Sequence, residues 1–516
     1  MNTKIVEWLQ KKEKLELGGG LEQIKKQHEK GKLTARERME AFFDSGSFVE
    51  LGLFAKHRSN EFGMDKAIIP ADGCIIGFGT VNNRTVYAYA HDFTANGGTF
   101  GELHSIKINK IMRSAIDAGA PLISLNDSGG ARIQEAIINQ IFLRTFWHNV
   151  QASGWIPQVS AIMGPCAGGA AYSPALTDFI ISVEKTSSMF LTGPAVIKAV
   201  TAETIDSESL GGAMTHNSIS GVAHMLATDD HDCLNKIKEV LSYLPQNADE
   251  KPPEYACVDD PCRIAPELDD IIPENPQISY DVKDIVKAIV DEGIYLEHQP
   301  YFAQNIFTAL ARLNGKSVGI VANNPKTMAG CLDINASDKG ARFIRICDSF
   351  NIPLVWLVDV PGFLPGVGQE HGGVIRHGAK LVYACCEATV PKVTIILRKS
   401  YGGATAAMCS KEMGCDINYI WPTGESCVMG AEGAAAIIFK KEIDAAPAEN
   451  RKEVRKALIE NYVAQVANPY LSTGVMVNDE IIRPSETRKI LINTLNALKD
   501  KQQSALVKKK HGNIPV

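Results

Sequence analysis

The sequence predicts an α/β protein that is built as a tandem duplication. Short apolar strands alternate with helical stretches along most of the 516 residues, a pattern typical of parallel sheets covered by helices. The chain also matches itself at a shift of 232 to 235 residues, and this match pairs Gly168-Gly169 with Gly402-Gly403. A match that drifts by so few residues over such a length indicates two copies of one unit.

A proline-rich linker separates the two copies. Residues 246–278 contain six prolines, several acidic residues and few periodic apolar positions. Such a composition interrupts regular secondary structure. We therefore predict two domains, residues 1–255 and residues 256–516, in agreement with the length of the chain.

Each predicted element follows from its local sequence. Residues 1 to about 45 are rich in charge and predict helix, with Thr34 and Glu37 forming a capping box. Later elements are apolar runs of strand length and longer periodic stretches. The predicted strands are residues 75–78, 86–90, 122–125 and 159–163 in the first copy and 318–322, 354–358 and 393–397 in the second; the predicted helices are residues 103–118, 134–152, a segment after 449, and 487–499.

The composition excludes several classes of protein. The chain is 45% apolar and 22% charged, its net charge is −6 and its pI is near 6.1, which argues against a nucleic-acid partner. The first residues lack the apolar core of a secretory signal, and no apolar run is long enough to span a membrane, so we expect a cytoplasmic protein. The basic run at residues 508–511 predicts a solvated tail.

Cysteine and histidine spacing predicts no metal site. The twelve cysteines show no C-x-x-C spacing, which argues against a zinc ribbon. We expect six of them to be small buried thiols in a reducing compartment: Cys166, Cys331, Cys347, Cys385, Cys386 and Cys427. The histidines and acids of residues 216–231 fit no standard ligand spacing, and we expect loop or supporting polar roles for His216, His224, Asp229, Asp230 and His231.

The two glycine pairs carry the strongest functional signal. Each follows an apolar strand, where glycine lets a ligand approach the backbone and lets N–H groups face outward. Such donors stabilise an oxyanion without a titrating side chain. A plain tight turn is the alternative for any single pair, but two pairs at equivalent repeat positions favour two ligand sites.

Weaker signals come from charged residues near the strand ends. Arg132 adjoins a small-residue loop and is suited to contact phosphate or carboxylate, with an ordinary surface ion pair as an equal alternative. Asp127 and Asp359 match in the repeat, and we expect structural roles for them, such as capping the next helix. Lys107 and Lys339 also match, and we expect both on solvated helix faces.

Several familiar catalytic motifs are absent from the sequence. We find no G-x-S-x-G elbow, no phosphate-binding P-loop and no complete dinucleotide fingerprint. The sequence therefore predicts neither a serine nucleophile nor a nucleotide triphosphate site in this chain.

Long motifs resemble one enzyme family nearly from end to end. NDSGGARIQE, GPCAGGAAYSPALTDF, VDVPGFLPGVGQE and RKSYGGA are similar to the carboxyltransferase (β) subunits of biotin-dependent acyl-CoA carboxylases, above all those of propionyl-CoA carboxylase. The α-subunit of methylmalonyl-CoA decarboxylase and the large subunit of transcarboxylase look similar too. The resemblance implies two crotonase-like (ClpP/crotonase) domains per chain and a homo-hexamer arranged as a trimer of dimers.

The resemblance also implies roles for particular residues. Gly168 and Gly169 would hold the thioester oxygen of an acyl-CoA as its α-carbon becomes an enolate. Gly403 and Ala404 would hold the ureido oxygen of biotin. The further implied contacts are Gly98, Gly130 and Arg132 for coenzyme A, Gly362, Phe363 and Gly402 for biotin, and Thr405 and Ala406 for acyl specificity.

One departure from the family leaves the acyl group open. Propionyl-type members generally have Tyr-Asp where this chain has Thr405 and Ala406. Propionyl-CoA and methylmalonyl-CoA stay the substrates that the resemblance implies, and a larger acyl group is an alternative because both residues here are smaller. A difference of one methylene is worth only about 1–3 kcal/mol in such pockets.

The implied cofactor is biotin on a separate carrier protein, because the chain has no Met-Lys-Met biotinylation site. The implied partners are a biotin carboxyl carrier protein and a biotin carboxylase subunit. The alternative partners are membrane subunits of a sodium-pumping methylmalonyl-CoA decarboxylase, which would run the same chemistry in reverse and make the chain peripheral to the membrane. A non-catalytic CoA-binding scaffold and a crotonase-type hydratase or hydrolase are alternatives of other classes.

Overall fold

The computed structural model describes residues 1–135, 138–501 and 511–516. These residues form two compact units, Met1–Lys251 and Pro252–Val516. Two parts of the predictions lie outside the described residues: residues 508–510 of the basic tail, and residues 136–137 of one predicted helix.

The first unit places its helices around one eight-stranded sheet among the described residues. Its strands are β1 (Val49–Leu51), β2 (Cys74–Val81), β3 (Arg84–His91), β4 (Leu122–Ser128), β5 (Gln158–Ala167), β6 (Phe179–Val183), β7 (Ser188–Phe190) and β8 (Met225–Ala227). Its helices are α1 (Thr3–Glu16), α2 (Leu21–Glu29), α3 (Ala35–Phe42), α4 (Glu102–Ala118), α5 (Arg144–Ala152), α6 (Gly169–Ala175), α7 (Pro194–Thr201), α8 (Ser207–Gly211), α9 (Ala213–Ser218) and α10 (Asp230–Tyr243).

The second unit has the same architecture. Its strands are β9 (Tyr295–His298), β10 (Ile306–Leu313), β11 (Lys316–Asn323), β12 (Leu354–Val360), β13 (Lys392–Tyr401), β14 (Ile417–Ile420), β15 (Glu425–Cys427) and β16 (Glu480–Ile481). Its helices are α11 (Val282–Ile289), α12 (Ile334–Ser349), α13 (Val367–Gly372), α14 (Val374–Glu387), α15 (Gly402–Ala407), α16 (Ala431–Ile438), α17 (Lys440–Ala445), α18 (Arg451–Gln465), α19 (Pro469–Gly474) and α20 (Thr487–Ala497).

The two sheets correspond strand by strand. The order is β1-β2-β3-β4-β5-β6-β8 in the first, with β7 paired to β5, and β9-β10-β11-β12-β13-β14-β16 in the second, with β15 paired to β13. The first two pairings of each sheet are antiparallel and the others are parallel. Each sheet also has a register shift at one place, between β4 and β5 and between β12 and β13. The duplication predicted from the sequence is therefore also a duplication of structure.

The predicted helices are partly corrected by local geometry. The N-terminal helical region is divided into α1, α2 and α3, because Gly18, Gly20 and Gly31 adopt positive φ between them. The capping box of Thr34 and Glu37 is confirmed. The helix predicted over residues 134–152 is wrong in its first part, where 3-10 turns precede α5.

Apolar side chains between each sheet and its helices form the cores. In the first unit, Tyr89 of β3 packs with Ile108 and Met112 of α4. In the second, Trp421 and Leu491 belong to a cluster between the sheet, α11 and α20. No helix within the described ranges is both long and apolar enough to cross a membrane.

Candidate active site

The first glycine pair lies at the turn from β5 into α6. Gly168 has φ 62° and ψ −129°, a conformation that favours glycine. Its N–H donates to the carbonyl of Phe190 at 2.9 Å, which continues the pairing of β5 with β7. Gly169 begins α6, and the first N–H of a helix has no carbonyl one turn earlier within that helix. Gly169 therefore offers a donor and Gly168 does not, which corrects the expectation that both hold the thioester oxygen.

A second donor points toward this turn from the loop after β4. The N–H of Phe100 donates to the Gly130 carbonyl at 3.1 Å, and the Phe100 carbonyl accepts from the N–H of Arg132 at 3.0 Å. Because the backbone groups of alternate residues in an extended chain point to opposite edges, the N–H of Ala131 points away from Phe100. On that side lies β5, because the end of β4 pairs with it through Ser128 and Cys166. Sequence reasoning missed the donor at Ala131.

The second glycine pair lies at the equivalent turn from β13 into α15. Gly402 has φ 60°, close to the value of Gly168, and Gly403 and Ala404 follow it in the first turn of the helix. Gly403 is exposed, and beyond its own helical turn no described atom lies within 4 Å of the position that its Cβ would take. The match of Gly402 with Gly168 makes Gly403 the counterpart of Gly169.

The second unit also repeats the donor on the neighbouring loop. The N–H of Leu332 donates to the Gly362 carbonyl at 3.1 Å, and the N–H of Leu364 donates to the Leu332 carbonyl at 2.7 Å. The N–H of Phe363 therefore points away from Leu332, as the N–H of Ala131 does in the first unit. The Phe363 ring packs on α14, where a Cβ on Gly378 would lie 3.0 Å from it. Each unit thus presents two backbone donors at equivalent places.

Comparison with known proteins shows the family of this chain. The model of the carboxyl transferase domain matches residues 26–514. This chain belongs to the carboxyl transferase family. The α-subunit of methylmalonyl-CoA decarboxylase from Propionigenium modestum is 52% identical, over 99% of this chain and 99% of that protein. The mitochondrial propionyl-CoA carboxylase β chain from Homo sapiens is 50% identical, over 97% of this chain and 91% of that protein.

A solved structure extends the match to the fold of this carboxyltransferase. The transcarboxylase 12S structure with methylmalonyl-CoA bound, described as a hexamer assembly, has a TM-score of 0.97 at 49% identity, covering 100% of this chain and 98% of that one. The predicted tandem crotonase-like α/β fold is confirmed.

Arg132 of the carboxyltransferase lies in a buried ion-pair cluster. Its guanidinium donates to Asp72 at 2.7 Å, to Glu135 at 2.8 Å and to the Thr99 carbonyl at 2.8 Å. The surface ion pair that the sequence offered as one alternative is wrong, because Arg132 is only 1% exposed. Its contact with coenzyme A stays a prediction, and these internal partners do not favour it.

Close packing, rather than exposure to a ligand, explains why residue 98 is a glycine. It is buried, and a Cβ there would lie 2.5 Å from the Asp127 carbonyl oxygen. Its left-handed φ of 60° adds a conformational reason for glycine. Gly330 has the same relation to Asp359, again at 2.5 Å. In each unit this glycine lets a 3-10 turn pack against the end of the central strand.

Lys107 and Lys339 are buried, so the prediction that both lie on solvated helix faces is wrong. The Lys107 ammonium donates to the carbonyls of Ala71 and Cys74. The Lys339 ammonium donates to the carbonyls of Gln299 and Phe302 at 2.9 and 2.8 Å. Burial lowers the pKa of Lys107, and it lowers the pKa of Lys339 from the ordinary 10.5 to about 7.

Asp127 has a structural role, as expected, but it caps no helix. It is fully buried at the register shift of β4. Its carboxylate accepts from Lys32 at 2.7 Å, from Arg38 at 2.9 Å and from Gln27 at 2.9 Å. These partners lie on α2 (Gln27), on α3 (Arg38) and on the loop between them (Lys32), so Asp127 fastens this N-terminal segment to the end of the central strand.

Asp359 is held in a different way. It is fully buried and accepts from Arg398 at 2.9 Å and from the Tyr280 hydroxyl at 2.9 Å. Arg398 lies on β13, and the repeat places Gly164 at the equivalent position of β5. A Cβ on Gly164 would overlap the Asp127 carboxylate. The second unit therefore supplies the cation from its own strand, whereas the first unit leaves space for cations from the N-terminal segment.

Thr405 and Ala406 lie on α15, directly after the donor residues of the second unit. Both are half-buried, and the Thr405 hydroxyl accepts from the Ser400 hydroxyl at 3.1 Å. Their repeat counterparts are Ala171 and Tyr172, and Tyr172 is 52% exposed. The second of these two positions is thus alanine in the second unit and tyrosine in the first.

The histidine and cysteine predictions have mixed outcomes. His224 accepts from the N–H of Ile180, His216 bonds to the Met189 carbonyl, and Asp230 pairs with a buried arginine. No group of three or more potential metal ligands occurs in the described parts of the chain. Among the expected buried thiols, Cys386 is exposed and two are half-buried, which corrects the prediction; the half-buried ones are Cys331 and Cys427.

Two cavities lie beside the donor loops, one in each unit. The first, of about 600 Å³, is lined by Gly19, Gln23, Lys26, Gln27, Glu29, Lys30, Ile68, Phe93, Thr94, Ala95, Asn96 and Gly97. It reaches the loop after β4, because the N–H of Gly129 donates to the Gly97 carbonyl at 2.9 Å. The second, of about 670 Å³, is a mainly apolar groove lined by Phe363, Glu370, Val374, Ile375, Gly378, Ala379, Val382, Tyr383, Cys386 and Pro515.

Proposed function

We propose that this chain transfers a carboxyl group between carboxybiotin on a separate carrier protein and the α-carbon of propionyl-CoA, which gives methylmalonyl-CoA. Acyl-CoA binds the first unit and biotin binds the second. The observation that carries the proposal is the pair of backbone donors repeated in both units. Two such sites suit two substrates that each develop negative charge on one oxygen.

The residues of the chain act by holding charge. In the first unit the N–H groups of Gly169 and Ala131 bind the thioester oxygen and stabilise the enolate that forms when the α-proton leaves. In the second unit the N–H groups of Gly403 and Phe363 bind the ureido oxygen. Biotin supplies the carboxyl group and a ureido nitrogen that takes the α-proton, so the reaction needs no side-chain base. Neutral donors suit both oxygens, because they need no proton transfer of their own.

The cavity beside α2 supports coenzyme A as the carrier of the acyl group. Lys30 and Lys26 line its wall, the latter paired with Glu22 at 2.7 Å, beside the acidic Glu29. Phe93 offers an aromatic face, and Asn96 offers an amide. Cations and an aromatic face suit the phosphates and the adenine of a nucleotide. The nucleotide end of coenzyme A would bind here, with the pantetheine chain running along Gly97 to the loop after β4.

The groove beside Phe363 supports biotin in the second unit. Its mainly apolar lining suits the alkyl chain and fused rings, and the Phe363 N–H at its border suits the ureido oxygen. A carrier protein would deliver the group, with a biotin carboxylase subunit loading it. A homo-hexamer is proposed by similarity to the transcarboxylase 12S assembly.

The reverse reaction is the second candidate, and the relatives give a specific reason for it. The methylmalonyl-CoA decarboxylase α-subunit from Propionigenium modestum and the propionyl-CoA carboxylase carboxyltransferase subunit from Haloferax mediterranei are both 52% identical to this chain. Because one set of donors stabilises the same charges in both directions, the partner subunits would set the direction. Membrane decarboxylase subunits would drive the reverse reaction.

Proline substitution tests the donors separately. Gly169→Pro and Gly403→Pro each remove one N–H in the first turn of a helix, a position where proline is tolerated. Each change should lower kcat for transfer from methylmalonyl-CoA to free biotin by about 10²–10³-fold. Thr3→Pro is the matched control, because Thr3 is the exposed first residue of α1.

The outcomes separate the proposed activity from its alternatives. A non-catalytic scaffold would show no transfer in the wild-type chain. A hydratase or hydrolase would consume an unsaturated acyl-CoA or release free coenzyme A without biotin. Equal activity of wild-type, Gly169→Pro and Gly403→Pro chains would refute the backbone donors.

A further inference from the structure

Asp72 is the buried counter-charge of Arg132, the residue that follows the Ala131 donor. Asp72 is fully buried, and its Oδ1 accepts from Arg132 at 2.7 Å. Its Oδ2 accepts from the backbone N–H of His104 at 2.8 Å. Arg132 also bonds to Glu135, whose other carboxylate oxygen accepts from the N–H of Glu102 at 2.7 Å. Arg132 is therefore held from two sides by carboxylates bonded to the first turn of α4.

Two neutral histidines extend this network. The Nδ1 of His104 lies 2.9 Å from the Asp72 carbonyl oxygen, which can only accept, so Nδ1 carries the proton. The Nε2 of His104 then accepts from the Nδ1 of His91 at 2.9 Å. Burial lowers the pKa of His91 to about 4 and lowers the pKa of His104 well below its ordinary value. Both rings are neutral near pH 7, which suits this donor–acceptor order.

The turn that carries Asp72 is itself held in place. Ala71 and Asp72 have φ of 49° and 50°, values that residues with a side chain rarely adopt. The buried ammonium of Lys107 donates to the Ala71 carbonyl at 2.8 Å and to the Cys74 carbonyl, on either side of the turn. Positive φ outside glycine persists where the surroundings fix it, often beside functional sites.

The second unit keeps the backbone pairing of this loop without the network. At the positions of Asp72, His104 and Arg132, the repeat has Gln304, Ala336 and Leu364. The backbone bond is retained, since the N–H of Leu364 donates to the Leu332 carbonyl at 2.7 Å as the N–H of Arg132 does to Phe100. The fold of the loop therefore does not require the charges, and only the first unit has them.

We propose that Asp72 and His104 are positioning residues for the thioester site. Acting through Arg132, they fix the backbone at Ala131, so that its N–H meets the oxygen of the developing enolate. This inference rests on the proposed function and adds residues that touch no substrate. Misplacement of a reacting or binding group by about 1 Å can cost about 10²-fold in rate. Ion pairs that hold this loop in place would therefore preserve the rate.

The test compares Asp72→Asn with a matched change on the surface. Asparagine tolerates left-handed φ, keeps the shape of Asp72 and removes its charge. We expect kcat for transfer from methylmalonyl-CoA to free biotin to fall about 10²-fold, with KM for the thioester changed less than about threefold. The control is Asp117→Asn, which removes the partner of Arg113 in an exposed ion pair of α4; its kcat and KM should equal those of the wild type.

A second variant separates positioning from folding. Asp72→Asn/Arg132→Leu/Glu135→Gln removes all three charges of the cluster and gives Arg132 the residue of its repeat counterpart, Leu364. Because this variant leaves no buried charge without its partner, it avoids the cost of a broken ion pair and should unfold near the wild-type temperature, with kcat still about 10²-fold low. Full recovery of kcat in this variant would show that Asp72 only neutralises a buried charge, and would overturn the inference.

The remaining outcomes are also decisive. If Asp72→Asn fails to fold, the triple variant alone decides. An unchanged kcat in folded Asp72→Asn overturns the positioning role. Absence of transfer in the wild-type chain would refute the proposed function instead, so the two failures are distinguishable.

Discussion

The carboxylate of Asp127 should control how firmly the N-terminal segment is attached to the first unit. Asp127→Asn is nearly isosteric but places an amide among three donors: Lys32, Arg38 and Gln27. The amide oxygen can accept from one or two of them, while its NH2 group faces another donor. Lys32 and Arg38 are almost fully buried, so water cannot replace the lost carboxylate.

The expected cost follows from this burial. Breaking a buried ion pair by removing one partner costs about 3–5 kcal/mol, because a buried charge is left uncompensated. Arg38 keeps Asp230 as a second partner at 2.7 Å, which places the estimate near the lower end of that range. Because about 1.4 kcal/mol corresponds to a tenfold change in an equilibrium constant, the equilibrium constant for local opening of this segment should increase by about two orders of magnitude.

Hydrogen exchange measured on peptides covering residues 21–42 is the direct assay. Exchange in this segment should become about a hundredfold faster in Asp127→Asn, while peptides of the second unit stay unchanged. Asp359→Asn is the matched control, since it removes the same group from the equivalent place in the second unit and should spare residues 21–42. A change of less than about threefold in this segment would refute the reasoning from burial.

Four further outcomes are expected. Gly168→Ala should destabilise the first unit by about 1–2 kcal/mol, because alanine is strained at the positive φ of this residue. Its loss of kcat should be smaller than that of Gly169→Pro, because the Gly169 N–H remains, and equal losses of kcat would contradict the assignment of the donor to Gly169. Burial lowers the pKa of Lys339 to about 7 from 10.5, so the unfolded chain binds more protons than the folded chain between these pH values. The free energy of unfolding should therefore rise with pH across that window, by at most about 1.4 kcal/mol per pH unit. Lys339→Met should remove this pH dependence from the free energy of unfolding measured in urea titrations. Lys30→Met should raise KM for a CoA thioester but not for a truncated thioester without the nucleotide. Ala406→Asp introduces the acid that propionyl-type members of the family generally have at this position, so it should increase the preference for propionyl-CoA over butyryl-CoA about tenfold in kcat/KM.

The sequence predicted the elements whose signal is local. Apolar runs placed the central strands of both sheets to within a few residues, and Thr34 with Glu37 marked the start of α3. The prediction of a continuous helix before α5 was wrong, because Glu135 turns inward to Arg132 and to the first turn of α4. That contact joins residues distant in sequence, and no local pattern reports it.

The sequence by itself determined the duplication, the α/β class and the two glycine pairs, because repeat spacing and apolar periodicity are written along the chain. Only the tertiary structure decided which N–H groups are available, since Gly168 donates to a strand that returns from later in the chain. Burial was decided there as well: Lys107, Lys339 and Arg132 look like surface residues in sequence and lie inside. The physical reason is that a charged side chain can be buried only where hydrogen-bond or ion-pair partners offset its loss of hydration, and the fold brings those partners from segments distant in sequence.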